Sequence, residues 1–359
     1  MKPGRTLQEL AAELDRQNAE KKDYIVDADA MAMVTDGDVP RLVINSGKDL
    51  ASYGNLTSYG ITGIAHRQIG SYLGIPASYY DRMKTKNPTL LTENVNAWLT
   101  EASGSKRMLR TLDGNARALL SDRYRRIDNW EIASAVLPII GGIEDARVES
   151  CELTDSRMYI KVVSPRTQAE VKVGDPVQAG VIVTNSEVGH GSVSVRPLIY
   201  RLVCSNGMVA ASGAVRKYHI GRVNEANDDL SIFRDETIQA SDKAFLMRLE
   251  DSVRAAVSQA SFDKIVDQMR EATEARIKAD AVPQVIELAS KEYGFTESEG
   301  KGILGHLIEG GDLSLYGLAN AVTRHAQDVE SYDRSTDLEA AGYQIITMAP
   351  ALWRQMERR

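Results

Sequence analysis

The chain holds only two cysteines in 359 residues, Cys151 and Cys204, too few for a disulfide framework, so a reducing compartment is expected. No apolar run approaches the roughly 18–20 residues that a membrane span needs. The opening Met1-Lys2-Pro3-Gly4-Arg5 leads into charged sequence with no apolar core, so no signal peptide and a cytoplasmic location are expected. The usual marks of catalysis are missing too. There is no G-x-x-x-x-G-K-[ST] phosphate loop and no G-x-G-x-x-G after a strand. The five histidines, at 66, 190, 219, 306 and 325, form neither H-x-H nor H-E-x-x-H, so no metal site is written locally and no cofactor is expected. Glu187-x-x-His190 has ligand spacing only on a helix, which Gly189 and Gly191 argue against. Cys204 would serve as a thiol nucleophile with His190 or His219 as its base. The plainer alternative is an inert thiol ending the apolar strand Leu202-Val203-Cys204, with Asn206-Gly207 as a tight turn. A non-enzyme is therefore expected.

What is present is an ordinary globular balance, 43% hydrophobic and 26% charged, which excludes disorder as the dominant state. The net charge of −7 is unevenly spread. Residues 1–105 carry −2, residues 106–222 carry +5 and residues 223–359 carry −10. From Gly191 to Arg222 there is no carboxylate, yet Arg196, Arg201, Arg216, Lys217 and Arg222 all fall there. Local potential governs association, so a basic middle third suggests a polyanion partner; solvated strand edges carrying Lys and Arg would look the same.

Local patterns give an α+β fold: an antiparallel β-sheet with hairpins packed by helices on one side, then a mainly helical C-terminal region. Thr6-Leu7-Gln8-Glu9 is a capping box opening a helix with Leu7, Leu10, Ala11 and Leu14 on one stripe. Short strands are expected at Tyr24–Val26 and Arg41–Asn45. A helical pair follows, with Ile64, Ile69, Tyr72 and Leu73, then Pro76 through Met83. Its 66–83 segment imitates a helix-turn-helix, although core packing also explains its aromatic residues. Asp113-Gly114 joins a hairpin of Met108–Leu112 and Ala116–Ser121. Arg147–Leu153 and Met158–Ser164 form a second hairpin, followed by strands Val177–Ser186 and Val193–Val203. A helix over Asn129–Ile140 interrupts these strands. Residues 1–222 are expected to be one α+β core holding a basic sheet (106–222), residues 223–236 a polar linker, and 237–359 an acidic helical region. Six helices are expected there, the last after Asp337.

The densest polar cluster is Ser121-Asp122-Arg123-Tyr124-Arg125-Arg126. Arginine forks match phosphate oxygens, and a tyrosine offers a base a stacking face. Arg107 and Arg110 lie on the partner strand, beside Lys106. With Arg201 and Lys217, the residues Arg107, Arg110, Arg123, Tyr124, Arg125 and Arg126 make up the expected DNA-binding set. A capped strand end with exposed arginines is the structural alternative.

These residues also carry a family resemblance. Gly74-Ile75-Pro76-Ala77-Ser78-Tyr79, Ala118-Leu119-Leu120-Ser121-Asp122-Arg123-Tyr124-Arg125, Asn185-Ser186-Glu187-Val188-Gly189, Tyr200-Arg201-Leu202-Val203-Cys204-Ser205-Asn206-Gly207 and Asn320-Ala321-Val322-Thr323-Arg324 occur in one order. In these blocks the chain resembles the phage- and plasmid-borne proteins of domain of unknown function 932. The resemblance implies a setting in mobile DNA. The strand–hairpin–helix core also looks similar to single-strand annealing recombinases, whose rings carry DNA in a basic groove. The expected function is thus a homo-oligomeric, non-enzymatic binder of single-stranded nucleic acid in recombination, repair or protection. The alternative is a factor that inhibits a host defence or replication protein through the acidic helices of residues 237–345.

Overall fold

The computed structural model describes residues 1–45, 56–124, 126–211, 215–217, 235–349 and 352–353, with backbone alone at 215–217 and 235–242. Local signals open the chain as read. The Thr6 hydroxyl accepts the Glu9 N–H at 3.2 Å and the Glu9 carboxylate accepts the Thr6 N–H at 2.7 Å, starting α1 (Leu7–Glu20). Its Leu10 and Leu14 are buried against the second of two sheets.

The first sheet has β1 (Lys22–Asp27), β2 (Met31–Asp36), β3 (Val39–Asn45), β4 (Leu56–Ile61), β5 (Lys106–Leu112) and β6 (Asn115–Ser121), in the order β1-β5-β6-β4-β3-β2. Asp113 and Gly114 both take positive φ, 52° and 71°, the backbone that a two-residue hairpin between right-twisted strands needs. Among the described residues, only β4 and β6 pair in parallel. Helices α2 (Gly63–Tyr72), α3 (Ala77–Lys86) and α4 (Pro88–Glu101) supply Ile69, Tyr80, Met83, Leu91 and Val95 to a core shared with Met33, Leu42, Ile44 and Leu109. His66 Nδ1 lies 2.9 Å from the Tyr80 hydroxyl, tying α2 to α3. Burial pushes His66 down to about 4, so it is neutral at neutral pH. The helix-turn-helix-like segment thus turns Tyr80 and Met83 into the core. At the β2 edge, Asn96 of α4 accepts the Met33 N–H at 2.7 Å and donates to the Met33 carbonyl at 2.8 Å.

The second sheet runs β11-β10-β9-β8-β7, built from β7 (Arg147–Leu153), β8 (Met158–Glu170), β9 (Pro176–Asn185), β10 (Val193–Arg201) and β11 (Asn206–Val209); β12 (Val215–Lys217) also pairs with β10. The remaining helices are α5 (Asn129–Gly141), α6 (Asp235–Ala256), α7 (Gln259–Glu274), α8 (Val282–Tyr293), α9 (Glu297–Gly310), α10 (Leu315–His325) and α11 (Tyr332–Ile346). Met158, Ile160, Val162, Val181 and Val183 meet α1, α5 and α6. The alternate residues Tyr159, Ile182 and Leu198 meet Tyr332 of α11. Val177, Ala179, Ile199 and Met208 enter the core of α7–α11. This sheet is covered on both faces, which corrects the expectation of helices on one side.

The α+β class stands, with antiparallel pairing and a helical C-terminal region. Its strands between 106 and 222 divide between two sheets, and both reach past that range in their contacts. β2, β4 and α4 went unread in the sequence. The last helix starts at Tyr332, capped by Ser331, before Asp337. β10 stops at Arg201, so Leu202–Ser205 is the turn, with Ser205 at φ 51°, and Asn206-Gly207 begins β11. The proposed linker at 223–236 falls outside the described residues except for the backbone of its last two.

Candidate functional site

Strand register first builds a polar hub between the two sheets. Pairing of β1 with β5 sets Asp23 opposite Arg110, whose side chain is wholly buried. Its Nε and Nη2 donate to Asp23 at 2.9 and 3.1 Å, Nη2 donates to Asp128 at 2.6 Å, and Nη1 donates to the Glu187 carbonyl at 3.0 Å. Lys21 reaches the other Asp128 oxygen at 2.5 Å. Burial opposes ionisation of Asp128, but Arg110 and Lys21 outweigh it and hold the carboxyl below its ordinary range. Glu187 accepts from Arg117 and from the Asn129 N–H, each at 2.6 Å. Asn185 donates to the Ile127 carbonyl and to Asn129 Oδ1. The Asn185–Gly189 segment is therefore the clasp that joins the first sheet to α5. With both carboxylate oxygens engaged, Glu187 is no metal partner for His190.

The expected DNA-binding residues do not converge on one groove. Arg110 is sealed inside the hub, out of reach of a phosphate. Arg107 lies with its guanidinium 3.8 Å over the Tyr72 ring, among the helices of the first sheet. Tyr124 packs beside Ile64, Met108, Leu120 and Val188, and its hydroxyl donates to the Ser186 carbonyl at 3.1 Å; burial raises its pKa. It is partly buried, with its ring packed against that cluster. Arg201 lies at the far end of β10, gripped by Asp175 at 2.6 and 2.9 Å. Arg125 falls outside the described residues, and Lys217 is described by backbone only, paired with Val193. Arg123 is exposed, and so is Arg126, 3.5 Å from Asp23. Some cations of the middle third meet carboxylates from elsewhere in the chain. Lys161 pairs with Glu339 at 2.6 Å, both buried, and Lys172 pairs with Asp312 at 2.6 Å.

A second polar place lies at the other end of β10. A cleft of about 280 Å³ is lined by Lys172, Arg201, Cys204, His306, Asn320 and Arg324, among others. Cys204 is on the turn, partly exposed, where its Sγ accepts from Arg201 Nη1 at 3.1 Å. Its carbonyl accepts from Gln327 at 3.1 Å. Asn206 donates to Thr323, so the segments 200–207 and 320–324, remote in sequence, face each other here. This corrects the picture of Cys204 as the buried end of a strand. His190 precedes β10 and Cys204 follows it; nine extended residues span about 30 Å, so His190 is no base for this thiol. His219 is outside the described residues. Each cation lining the cleft has a carboxylate: Asp312 for Lys172, Asp175 for Arg201 and Asp328 for Arg324. The cleft is thus no well of positive potential. Beside it, His306, His325 and Asp328 bring ligand atoms within 4.8 Å of one another. Sequence spacing could not signal this trio, because packing of α9 on α10 assembles it.

A family model described as Domain of unknown function (DUF932) matches residues 117–351. The match takes in the hub's clasp and the cleft, and leaves out the Gly74–Tyr79 block and most of the first sheet. No curated protein and no solved structure matches the chain. Among the described residues, no helix is long and apolar enough to cross a membrane.

Proposed function

We propose, on the premise that the chain belongs to the family described as Domain of unknown function (DUF932), that it is a non-enzymatic binder of single-stranded nucleic acid serving annealing, repair or protection of mobile DNA. The contact surface is the rim of the Arg110 hub in place of a groove across a sheet. Arg123 carries the reading. It is exposed, has no carboxylate partner among the described residues, and sits on a turn pinned beneath by Tyr124. Arg126 is exposed beside it. Arg67, exposed on α2, stands close enough to His190 to add to the burial that lowers that histidine's pKa. Rigidly mounted guanidinium forks suit phosphate oxygens. With Tyr124 packed away, binding would rest on the backbone and depend steeply on salt.

The test is fluorescence anisotropy of a labelled ~30-nucleotide single strand, with duplex in parallel, across a salt series. Salt-steep binding that prefers the single strand is expected. Replacing Arg67, Arg123 and Arg126 with alanine should weaken it at least about tenfold and flatten the log–log salt slope by about 2. No binding at low salt, or an unchanged affinity and slope in the folded triple variant, removes the reading. The rival, capture of a host protein by the acidic helices, finds among the described residues only single exposed apolar side chains there, such as Met247 and Ile308. Isolated exposures of that kind are ordinary surface.

A further inference from the structure

We propose that His306, His325 and Asp328 form a binding site for a divalent transition-metal ion of the zinc class, at the edge of the Cys204 cleft. His306 is on α9, and His325 is the last residue of α10. Asp328 lies in the turn that follows, held by its N–H bond to the His325 carbonyl at 2.9 Å. Asp328 Oδ2 is 2.6 Å from His306 Nε2 and 3.7 Å from His325 Nδ1. Around a tetrahedral zinc with bonds of about 2.0–2.1 Å, neighbouring ligand atoms stand about 3.3 Å apart. From separations of at most 4.8 Å, changes of about 1.5 Å or less bring the trio to that spacing.

Four surrounding features fit the same role. His325 Nδ1 is buried without a hydrogen-bond partner, a lone pair left for a ligand. Gly302 of α9 lets the His325 ring lie against the helix, since a Cβ there would come within 2.4 Å of it. Glu309 Oε2 is 3.6 Å from His306 Nδ1, placed to hold that proton and leave Nε2 as the ligating atom. Arg324 takes the other oxygen of Asp328 at 3.1 Å, leaving Oδ2 for the ion. Two imidazoles and one carboxylate suit zinc, cobalt or nickel better than magnesium or calcium, which prefer all-oxygen shells. His306 also lines the cleft, which sets the trio at its edge. Uptake would replace the His306–Asp328 hydrogen bond and release its proton.

The full chain, freed of any histidine tag, is dialysed against Zn²⁺ alone and assayed for bound metal, and titrated with Co²⁺ alone for visible absorption. One zinc per chain and a tetrahedral cobalt band are expected, both weakening as the pH falls, because uptake releases protons. His306→Ala, His325→Ala and Asp328→Asn should each lower affinity at least about tenfold. Gly302→Ala, which removes no ligand, should lower it by displacing the His325 ring, while His190→Ala should leave it unchanged. Asp328 is 42% exposed, so Asp328→Asn folds and keeps the test decisive if a histidine variant does not. No stoichiometric uptake by the folded chain overturns the site, and so does unchanged uptake in Asp328→Asn.

Discussion

The two ends of β10 handle charge in opposite ways. At one end, the loop that precedes the strand closes a hub in which Arg110, Asp23, Asp128, Arg117 and Glu187 answer one another behind a protein wall. At the other, the turn that follows the strand opens on a cleft with a partly exposed thiol, and a histidine nitrogen nearby is buried and unanswered. Charge density alone therefore says little about function. A dense cluster whose charges are paired is architecture even with Arg117 Nε left without a partner, whereas a leftover imidazole nitrogen is a place to question because it can ligate.

The largest break in this contrast is Arg110→Met. It removes the buried cation that Asp23 and Asp128 share, leaving them only Arg126 and Lys21 at the rim, and should cost about 3–5 kcal/mol in urea unfolding. A loss below about 1 kcal/mol would mean that the hub is not structural. The Lys161–Glu339 pair sharpens the point. Lys161→Met alone should destabilise strongly, whereas the double change Lys161→Met with Glu339→Leu should recover most or all of the loss, since an apolar pair avoids burying charge. His66 comes next. It is buried neutral, with a folded value of about 4 against 6.5 when unfolded. The unfolded state therefore takes up the proton first as pH falls. The stability of the wild type relative to His66→Leu is fully present above about pH 6.5 and should shrink by on the order of 2 kcal/mol towards pH 4. A pH-independent difference would refute the buried neutral imidazole. The smallest effects belong to the open end. Cys204→Ser should change stability by no more than about 0.5 kcal/mol. In the native state iodoacetamide should modify Cys204 and spare Cys151, which is buried and whose thiol burial pushes up to about 12. Intact mass reads one adduct before denaturation and two after.

Legibility followed the reach of the interaction. Thr6 with Glu9, and Asp113 with Gly114, act within a few residues, and both were readable as a cap and a hairpin turn. The charge count over residues 106–222 is incomplete because it sees the cations of one segment and not their partners. Asp23 meets Arg110 from 87 positions upstream, and Glu339 meets Lys161 from 178 positions downstream. Part of the basic middle third is thus complementarity between parts of one chain. Cys204 was misplaced for a local reason. Leu202 and Val203 read as a strand's continuation, yet they are exposed on the turn, 37% and 56%, because the sheet needs Asn206 to start the next strand. His306 had no local spacing to His325 and Asp328 to read, since the packing of α9 on α10 brings it to them.

Asn96 has a consequence for how large this molecule becomes. The first sheet has to stop at β2, where a row of backbone groups would welcome another strand. One carboxamide, reaching over from α4, supplies the donor and acceptor that the next strand would have offered at Met33. It is a counterfeit neighbour one residue long, and it makes the boundary of the sheet a property of a side chain. Another copy of the chain that approached this edge would find that position already taken.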